Sequence, residues 1–172
     1  MEIKNTHIHL KKEEQKIWEI LKEVKDPEVP VLSVLDLGIV RSVQFDEIQK
    51  IHIVITPTYS GCPAMDVISM DIRLKLIENG YRNVIIQQSL SPAWTTDWMT
   101  EEGKQKLKQY GIAPPNPKQQ FCKEELFQQE AVPCPRCNSY HTELISQFGS
   151  TACKAMYRCL DCKEPFDYFK CH

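Results

Sequence analysis

The sequence has no long uninterrupted run of hydrophobic residues. Its most apolar stretch, residues 29–40, is interrupted by four residues that disfavour a membrane span: Pro30, Ser33, Asp36 and Gly38. The first residues also lack the apolar segment of a secretory signal peptide. These absences predict a cytoplasmic protein that has no membrane partner.

Three motifs of redox and nucleotide-dependent enzymes are missing as well. The sequence has no Glu-x-x-His pair, which carboxylate-bridged di-iron sites use. It also has no G-x-G-x-x-G turn for a flavin or a nicotinamide, and no P-loop. The chain therefore has no di-iron, flavin or nucleotide motif of its own, and we predict that it is not an enzyme.

Cysteine, in contrast, is abundant and clustered. Five of the eight cysteines lie within residues 134–162. Four of them form two C-x-x-C pairs, separated by 21 residues: Cys134 with Cys137, and Cys159 with Cys162. Each pair directs two thiolates to one point, and two pairs supply the ligands of a closed tetrahedral site. About 40 residues are too few to fold without such a staple, so we predict a structural zinc ribbon.

The ligand set of this ribbon leaves alternatives open. Cys153 and Cys171 are possible additional ligands, and His141 or His172 could replace a sulfur. Extra cysteines could also indicate an iron-sulfur cluster in place of zinc, although spare ribbon cysteines are more often buried.

Charge gives no indication of a nucleic-acid partner. The whole chain has a net charge of -2, and residues 131–172 carry five Lys/Arg against four Asp/Glu. Four thiolates around one zinc dication would bring this lobe to about -1. A ribbon that binds nucleic acid should be more basic.

The part of the chain before the ribbon alternates between helical and strand patterns. Apolar spacing predicts a helix from residue 11 to Asp26-Pro27, a hairpin of strands 39–45 and 51–56, a helix opened by Cys62 and ended at Asn79-Gly80, and a strand at 84–88. A strand, a helix and a strand in that order imply a right-handed parallel crossover, so the small sheet is mixed. Thr96 or Asp97 is predicted to cap a helix over residues 98–110. The fold class is α+β, with a domain at 1–112, a linker at 113–132 and a ribbon at 133–172.

The stretch from Thr56 to Asp66 is the main candidate for chemistry outside the ribbon. Gly61 turns the chain, Cys62 is a candidate helix N-cap and Pro63 is suited to the first helical position. A thiol at a helix N-terminus should have a lowered pKa. Sites form beyond the carboxyl ends of crossover strands, which is where Cys62 falls. The alternative is a half-buried cysteine that caps the helix and does not react.

Several short motifs, taken in order, carry a family resemblance. Residues 26–30 (DPEVP), 36–40 (DLGIV) and 56–63 (TPTYSGCP) resemble the signature of the SufT-like iron-sulfur assembly domain. Residues 94–98, 110–115, 148–154 and 164–171 resemble the PaaD-type, or PaaJ-type, subunits of the phenylacetyl-CoA ring-epoxidase system of bacterial phenylacetate degradation. The match runs from about Ile17 to the C-terminus except for the connector, whose Cys122 belongs to no motif of the family.

The resemblance implies an accessory subunit that helps to mature the metal centres of an oxygenase. Cys62 would hold or pass iron or a transient cluster, with the other oxygenase subunits as partners. Because clusters generally take four ligands, a homodimer or a site shared with the client would be needed. The motifs also contain three acidic residues, Asp26, Glu28 and Asp36. They either line the same site as Cys62 or serve as turn and cap residues. The ribbon would be a docking lobe with four candidate contact aromatics: Tyr157, Phe166, Tyr168 and Phe169.

Two further hypotheses remain open at this point. In the first, the chain is a thiol enzyme in which Cys62 is the nucleophile and His52 the base. In the second, it is a structural scaffold in which both the metal and Cys62 only maintain shape.

Overall fold

The computed structural model describes residues 2–115 and 132–170, with side chains described from residue 11 onward. Its elements are α1 (Glu2–Leu21), β1 (Val40–Phe45), β2 (Ile51–Ile55), α2 (Ala64–Glu78), β3 (Val84–Gln88), a 3-10 turn (Thr96–Trp98), α3 (Glu101–Tyr110), β4 (Ile112–Ala113), β5 (Thr142–Ser146), β6 (Lys154–Cys159) and β7 (Pro165–Phe169). Contacts within the chain define two compact units, Met1–Trp94 and Thr95–His172. The α+β class is confirmed. The domain boundaries proposed from the sequence stay a prediction, and residues 116–131 of the connector, with Cys122, lie outside the described residues.

The first unit is built on a three-stranded mixed sheet in the order β1-β2-β3. β1 and β2 form the predicted antiparallel hairpin, and β3 lies parallel to β2 after the crossover through α2. One face of β2 is buried through its three isoleucines, and α2 buries five residues: Ala64, Met65, Ile68, Ile72 and Leu76. Burying an aliphatic side chain of this size contributes about 1.5 to 3 kcal/mol. This packing fixes the end of β2, and with it the loop that leads to Cys62.

The first helix differs from its predicted bounds at both ends. It begins at Glu2 rather than at residue 11, and it ends at Leu21 rather than at Asp26. The chain tightens after Leu21, where the amides of Lys22 and Val24 donate to the carbonyls of Glu19 and Leu21. Such three-residue spacing is the usual way in which a helix end satisfies its last carbonyls.

The second unit contains a four-stranded sheet in the order β4-β7-β6-β5. The sequence pattern predicts two ribbon strands, at residues 144–148 and 152–157, near the observed β5 and β6, but it predicts neither β7 nor the short β4. Helix α3 begins later than predicted, because the 3-10 turn occupies residues 96–98. Its N-cap is therefore Thr100, whose side chain accepts a hydrogen bond from the amide of Gly103 at 2.9 Å.

The aromatic side chains of β6 and β7 form the core of the ribbon. Tyr157 stacks on Phe166 with ring centroids 5.9 Å apart and meets Tyr168 edge-on at 5.8 Å. These three residues and Phe169 are at most 6% exposed. Their assignment as docking contacts was therefore wrong. Strand alternation directs Tyr157, Phe166 and Tyr168 into one core, and Phe169, which faces the other side of β7, is buried as well.

Candidate functional site

Cys62 lies in the loop that connects the carboxyl end of β2 to α2. Gly61 has a φ of +83°, in the left-handed region where a side chain is disfavoured, and so turns the chain into Cys62. The Cys62 amide donates to the carbonyl of Tyr59 at 3.3 Å, and the Cys62 carbonyl accepts from Met65 at 3.3 Å. The thiol is half-buried at this position. The structure thus places Cys62 at the predicted edge of the sheet.

Cys62 is not the helix N-cap that its sequence position predicted. Pro63 takes that position with a φ of -69° and a ψ of -21°, and α2 has no side-chain cap. The pKa of the Cys62 thiol is raised from its ordinary value, mainly by burial and further by the charges of Glu28 and Asp26. Hydrogen bonds from the Ala64 backbone and the Tyr59 side chain lower the pKa, but burial outweighs them. The predicted lowering of the pKa was therefore wrong, since burial outweighs the helix terminus.

A tight turn in the DPEVP motif brings the two acidic residues toward Cys62. The Asp26 Oδ1 atom accepts hydrogen bonds from the amides of Glu28 at 2.8 Å and Val29 at 2.7 Å. Asp26 is buried, whereas Glu28 is half-buried. Asp26 therefore holds the turn, and both carboxylates contribute negative potential at the thiol.

The third acidic residue of the motifs has a local role. The buried carboxylate of Asp36 accepts from the amide of Ser33 at 2.8 Å and from its hydroxyl at 2.9 Å. This is the turn function that the sequence offered as an alternative. Sequence reasoning gave no role to Thr56, whose buried Oγ1 atom has no hydrogen-bond partner within the described parts of the chain.

His52 is poorly placed to act as a base for Cys62. Its Nε2 atom lies 3.0 Å from Asp46 Oδ2, in the hairpin that joins β1 to β2. Ile55 ends the strand three residues later, about 10 Å further along, and only then does the chain turn toward Cys62. The geometry therefore does not support the predicted dyad of Cys62 and His52.

The four cysteines of the two C-x-x-C pairs form one compact group. Their Sγ atoms all lie within 4.8 Å of one another, with Cys134 to Cys162 at 3.7 Å and Cys137 to Cys159 at 3.5 Å. A tetrahedral ion with metal-sulfur bonds of about 2.3 Å separates its sulfurs by about 3.8 Å. The donor set and its spacing thus fit a single metal ion that prefers thiolates.

The backbone shapes the two knuckles in the same way. Asn138 follows the second cysteine of the first pair with a φ of +60°, and Lys163 follows that of the second pair with a φ of +65°. The amide of Cys134 donates to Ser139 and that of Cys159 donates to Glu164, both at 2.9 Å. Each knuckle is therefore closed by a left-handed residue that neither C-x-x-C motif predicts.

A polar network ties the two knuckles together outside the sulfurs. Asp161 accepts a hydrogen bond from the Ser139 hydroxyl, and its Oδ1 atom lies 3.0 Å from His141 Nδ1. Hydrogen bonds from the amides of Cys162 and Asp161 lower the pKa of Cys159 to about 7. The pKa values of Cys137 and Cys162 are raised instead, because backbone hydrogen bonds from Ser139 and Glu164 are outweighed by burial and by neighbouring thiols. The contacts of Asp161 therefore hold the two knuckles in position, whereas a shift toward the thiolate is confined to Cys159 among these three cysteines.

Two of the extra candidate ligands, Cys153 and His141, lie within the described residues and do not belong to this group. Cys153 lies just before β6, whereas Cys159 ends that strand, so about 20 Å of extended chain separates them. The buried Cys153 thiol instead lies 3.0 Å from Thr151 Oγ1. His141 contacts Asp161, and Cys171 and His172 lie outside the described residues. Cys153 therefore cannot ligate the same ion as Cys159.

Comparisons with known proteins match both units of the chain. The family model of the PaaD zinc beta ribbon domain matches residues 118–170, and that of the iron-sulfur cluster assembly protein matches residues 14–79. A protein of Escherichia coli K12 named as a 1,2-phenylacetyl-CoA epoxidase component is 52% identical over 156 residues, which cover 90% of this chain and 91% of that protein. The chain belongs to the PaaD family.

Shorter relatives match only a little over half of this PaaD-family chain. An Fe-S protein maturation auxiliary factor of Porphyromonas gingivalis is 36% identical over 95 residues, 55% of this chain and 90% of that protein. A crystal structure from Bacillus anthracis, described as a domain of unknown function DUF59, is 27% identical, with a TM-score of 0.55 over 59% of this chain and 96% of that one. In the PaaD-family chain, therefore, Cys62 lies within the match to the iron-sulfur cluster assembly model, and the four cysteines lie within the match to the zinc beta ribbon model. None of the described helices has the length and apolar character that crossing a membrane requires.

Proposed function

We propose that this protein is an accessory subunit of a phenylacetyl-CoA epoxidase system that acts in the assembly of iron-sulfur or iron centres of the oxygenase. One observation carries the proposal: an accessible thiol, Cys62, lies beside Asp26 and Glu28 within the region that matches the iron-sulfur assembly family. The relative named as an epoxidase component supports the link to the epoxidase system, and the relative named as a maturation factor supports the role in assembly. The protein would serve the oxygenase rather than catalyse its reaction.

The environment of Cys62 suits a group that receives iron and then releases it. A raised pKa keeps the thiol protonated in the absence of a cation. Iron binding would displace the proton to give an iron-thiolate bond, and the nearby carboxylates would attract the incoming cation. With one thiolate and partial burial, the bound iron or cluster would remain exchangeable. The remaining ligands would come from the client or from a second copy of the chain.

In this proposal the four-cysteine centre holds zinc and has a structural role. The sulfur spacing of 3.5 to 3.7 Å supports one ion rather than a cluster of several iron atoms. Zinc has no redox chemistry, and a closed site of four thiolates leaves no open position for a substrate. The ribbon would then act as a lobe that docks the other oxygenase subunits.

The deciding experiment is metal and sulfide analysis after anaerobic purification. Wild type and Cys62→Ala should each contain about one zinc per chain, whereas only wild type should contain iron. Cys153→Ala is the matched control, because it removes a cysteine outside both sites. Zinc alone in both proteins, even after cluster reconstitution, would refute the carrier role and favour a scaffold.

A further inference from the structure

The four sulfurs of the metal site are not equally protected from solvent. Cys134 and Cys159, the first cysteines of the two pairs, are fully buried, whereas Cys137 and Cys162 are exposed. Each buried sulfur lies against the exposed sulfur of the other knuckle, at 3.7 Å and 3.5 Å. Water and chelators therefore reach a bound ion first at Cys137 and Cys162. We call these two residues the outer edge of the site.

An ion can leave only when the two knuckles move apart, because each of them supplies two of the four sulfurs. Backbone contacts join the knuckles where the ribbon strands meet. Thr142 of β5 pairs with Cys159 of β6, and the amide of Leu160 donates to the carbonyl of His141 at 2.8 Å. Retention of the ion at the outer edge then depends on side chains that connect the two knuckles there.

Asp161 makes such a connection with two residues that follow the first knuckle. It accepts a hydrogen bond from the Ser139 hydroxyl through Oδ2, and its Oδ1 atom lies 3.0 Å from His141 Nδ1. The Ser139 oxygen also accepts from the amide of His141 at 3.0 Å, so these three residues form one connected group, which we call the Asp161 network. Ser139 follows Cys137 by two residues. Asp161 directly precedes Cys162, so the network borders the outer edge.

A second contact between the knuckles is weaker. Arg136 Nη1 lies 3.6 Å from Glu164 Oε1, which is too long for a hydrogen bond, and both side chains are largely exposed. An isolated exposed ion pair of this kind contributes little to stability. In the Asp161 network, by contrast, both carboxylate oxygens are used and the contacts reinforce one another.

We propose that Ser139, Asp161 and His141 are positioning residues that retain the metal ion, because they keep the knuckles from separating at the outer edge. Within the described residues, the group of ligand atoms contains the four cysteines and neither His141 nor Asp161, so the network acts through the cysteines. Loss of such outer partners typically weakens metal binding about 10- to 100-fold. The proposal rests on the part of the proposed function in which the four cysteines hold zinc, and it is independent of Cys62.

The charge of Asp161 by itself would have the opposite effect. Four thiolates around one zinc dication carry a net charge of about -2, which a nearby carboxylate repels. Removal of the carboxylate would then slow the release of zinc. The Asp161 network predicts faster release instead, so the sign of the change distinguishes the two effects.

The test uses the full-length protein, loaded with about one zinc per chain and mixed with an excess of a chromogenic chelator. The absorbance of the chelator complex should show that Asp161→Ala releases zinc about tenfold faster than wild type, or more. Glu164→Ala is the matched control, because it removes an acidic side chain that also spans the knuckles but belongs to the weak ion pair. Its rate should stay within about twofold of the wild-type rate.

Two further measurements separate retention of the ion from a general loss of stability. Ser139→Ala should also release zinc faster than wild type, and its combination with Asp161→Ala should be no faster than Asp161→Ala alone, because the shared contact is already lost. In the zinc-loaded state, amide-exchange protection of β6 and β7 in Asp161→Ala should equal that of wild type.

Four results would overturn the proposal. They are a release rate of Asp161→Ala equal to or below that of wild type, equal acceleration in Glu164→Ala, additive effects of Ser139→Ala and Asp161→Ala, and lost protection of β6 in zinc-loaded Asp161→Ala. Absence of zinc from wild type would refute both the structural zinc centre and this proposal. The carrier role fails separately, through the iron content of Cys62→Ala, which should release zinc at the wild-type rate.

Discussion

At the scale of single residues, burial and two carboxylates act in the same direction on the thiol of Cys62. Both disfavour the thiolate, and the resulting rise in pKa separates Cys62 from cysteines that are activated for nucleophilic attack. Such a thiol is slow toward electrophiles at neutral pH, yet a metal cation still displaces its proton. Resistance to oxidation before iron arrives would be useful in a carrier.

The alkylation of Cys62 should follow pH in a way that reports this environment. Because its pKa is raised, the rate with iodoacetamide should reach half its maximum at a higher pH than for an unperturbed thiol. Glu28→Gln removes a negative charge near the thiol, which favours the thiolate and lowers the pKa. The variant should therefore react faster than wild type at pH 7.5. Mass spectrometry of the Cys62 peptide measures both rates, and Glu47→Gln is the control.

A rate for Glu28→Gln equal to that of wild type would show that Glu28 contributes no potential at the thiol. A half-maximal rate of wild type at a pH below that of a free thiol would contradict the raised pKa itself.

The same residue shows what sequence reasoning can reach. Strand alternation, Gly61 and Pro63 are local signals, and they place Cys62 correctly between β2 and α2. The direction of its pKa depends on burial and on Glu28, which is 34 residues away in the sequence. No local pattern carries that information, so the helix-terminus argument gave the wrong sign.

At the scale of elements, α2 combines a packed face with an exposed apolar face. Ile72 is fully buried, whereas Leu74 is 50% exposed. Helical spacing in the sequence predicts four of the five buried residues, Met65, Ile68, Ile72 and Leu76, because they share one side of the helix. The opposite side carries four further large apolar residues, Val67, Met70, Leu74 and Ile77, and their exposure follows from tertiary packing that helical spacing does not contain.

Alanine substitutions on the two faces of α2 should have very different effects on stability. Ile72→Ala should lower the free energy of unfolding by about 2 to 5 kcal/mol, because it leaves a cavity in the core. Leu74→Ala should change it by no more than about 0.5 kcal/mol, because the side chain is already half in water. Urea unfolding followed by tryptophan fluorescence compares the two variants. Similar losses in both would mean that Leu74 is buried in the folded protein.

In the ribbon, by contrast, the sequence predicted the metal site but did not predict all of the strands. Two C-x-x-C pairs predicted the metal site because thiolate ligands have few other reasons to occur at that spacing. Strand β7 was not predicted, because it begins with proline and its apolar residues are interrupted by Asp167. Its aromatic residues Phe166 and Tyr168 nevertheless complete the core. Their burial depends on how β6 and β7 pack together, which the sequence does not show. The sequence therefore suggested contacts with a partner protein, whereas the structure has these side chains packed inside the ribbon.

At the scale of the whole molecule, the chain has two cores of different origin. The first unit buries aliphatic residues from α1, α2 and the mixed sheet, whereas the ribbon is small and gathers its aromatic residues next to the four sulfurs. A lobe of this size should depend on a bound metal ion for stability, because small domains rarely fold on their hydrophobic core alone.

Metal removal should therefore unfold the ribbon without unfolding the first unit. A strong chelator, or Cys134→Ser, should abolish amide-exchange protection in β5, β6 and β7 while protection in β2 and α2 remains. Added zinc should restore the signal after chelation but not in Cys134→Ser. Retained protection in β6 without metal would show that the aromatic core is sufficient by itself.

The proposed function also predicts that Cys62 and the four-cysteine site have different effects on the client protein. With the other epoxidase subunits co-expressed, Cys62→Ala should still form the complex but should deliver less iron to the client, because only the carrier thiol is lost. Cys134→Ser should lose complex formation, because the docking lobe unfolds. Pull-down of the subunits measures association, and iron analysis of the isolated client measures delivery. If Cys62→Ala left client iron and epoxidase activity intact, the thiol would have no part in maturation and the protein would act as a scaffold.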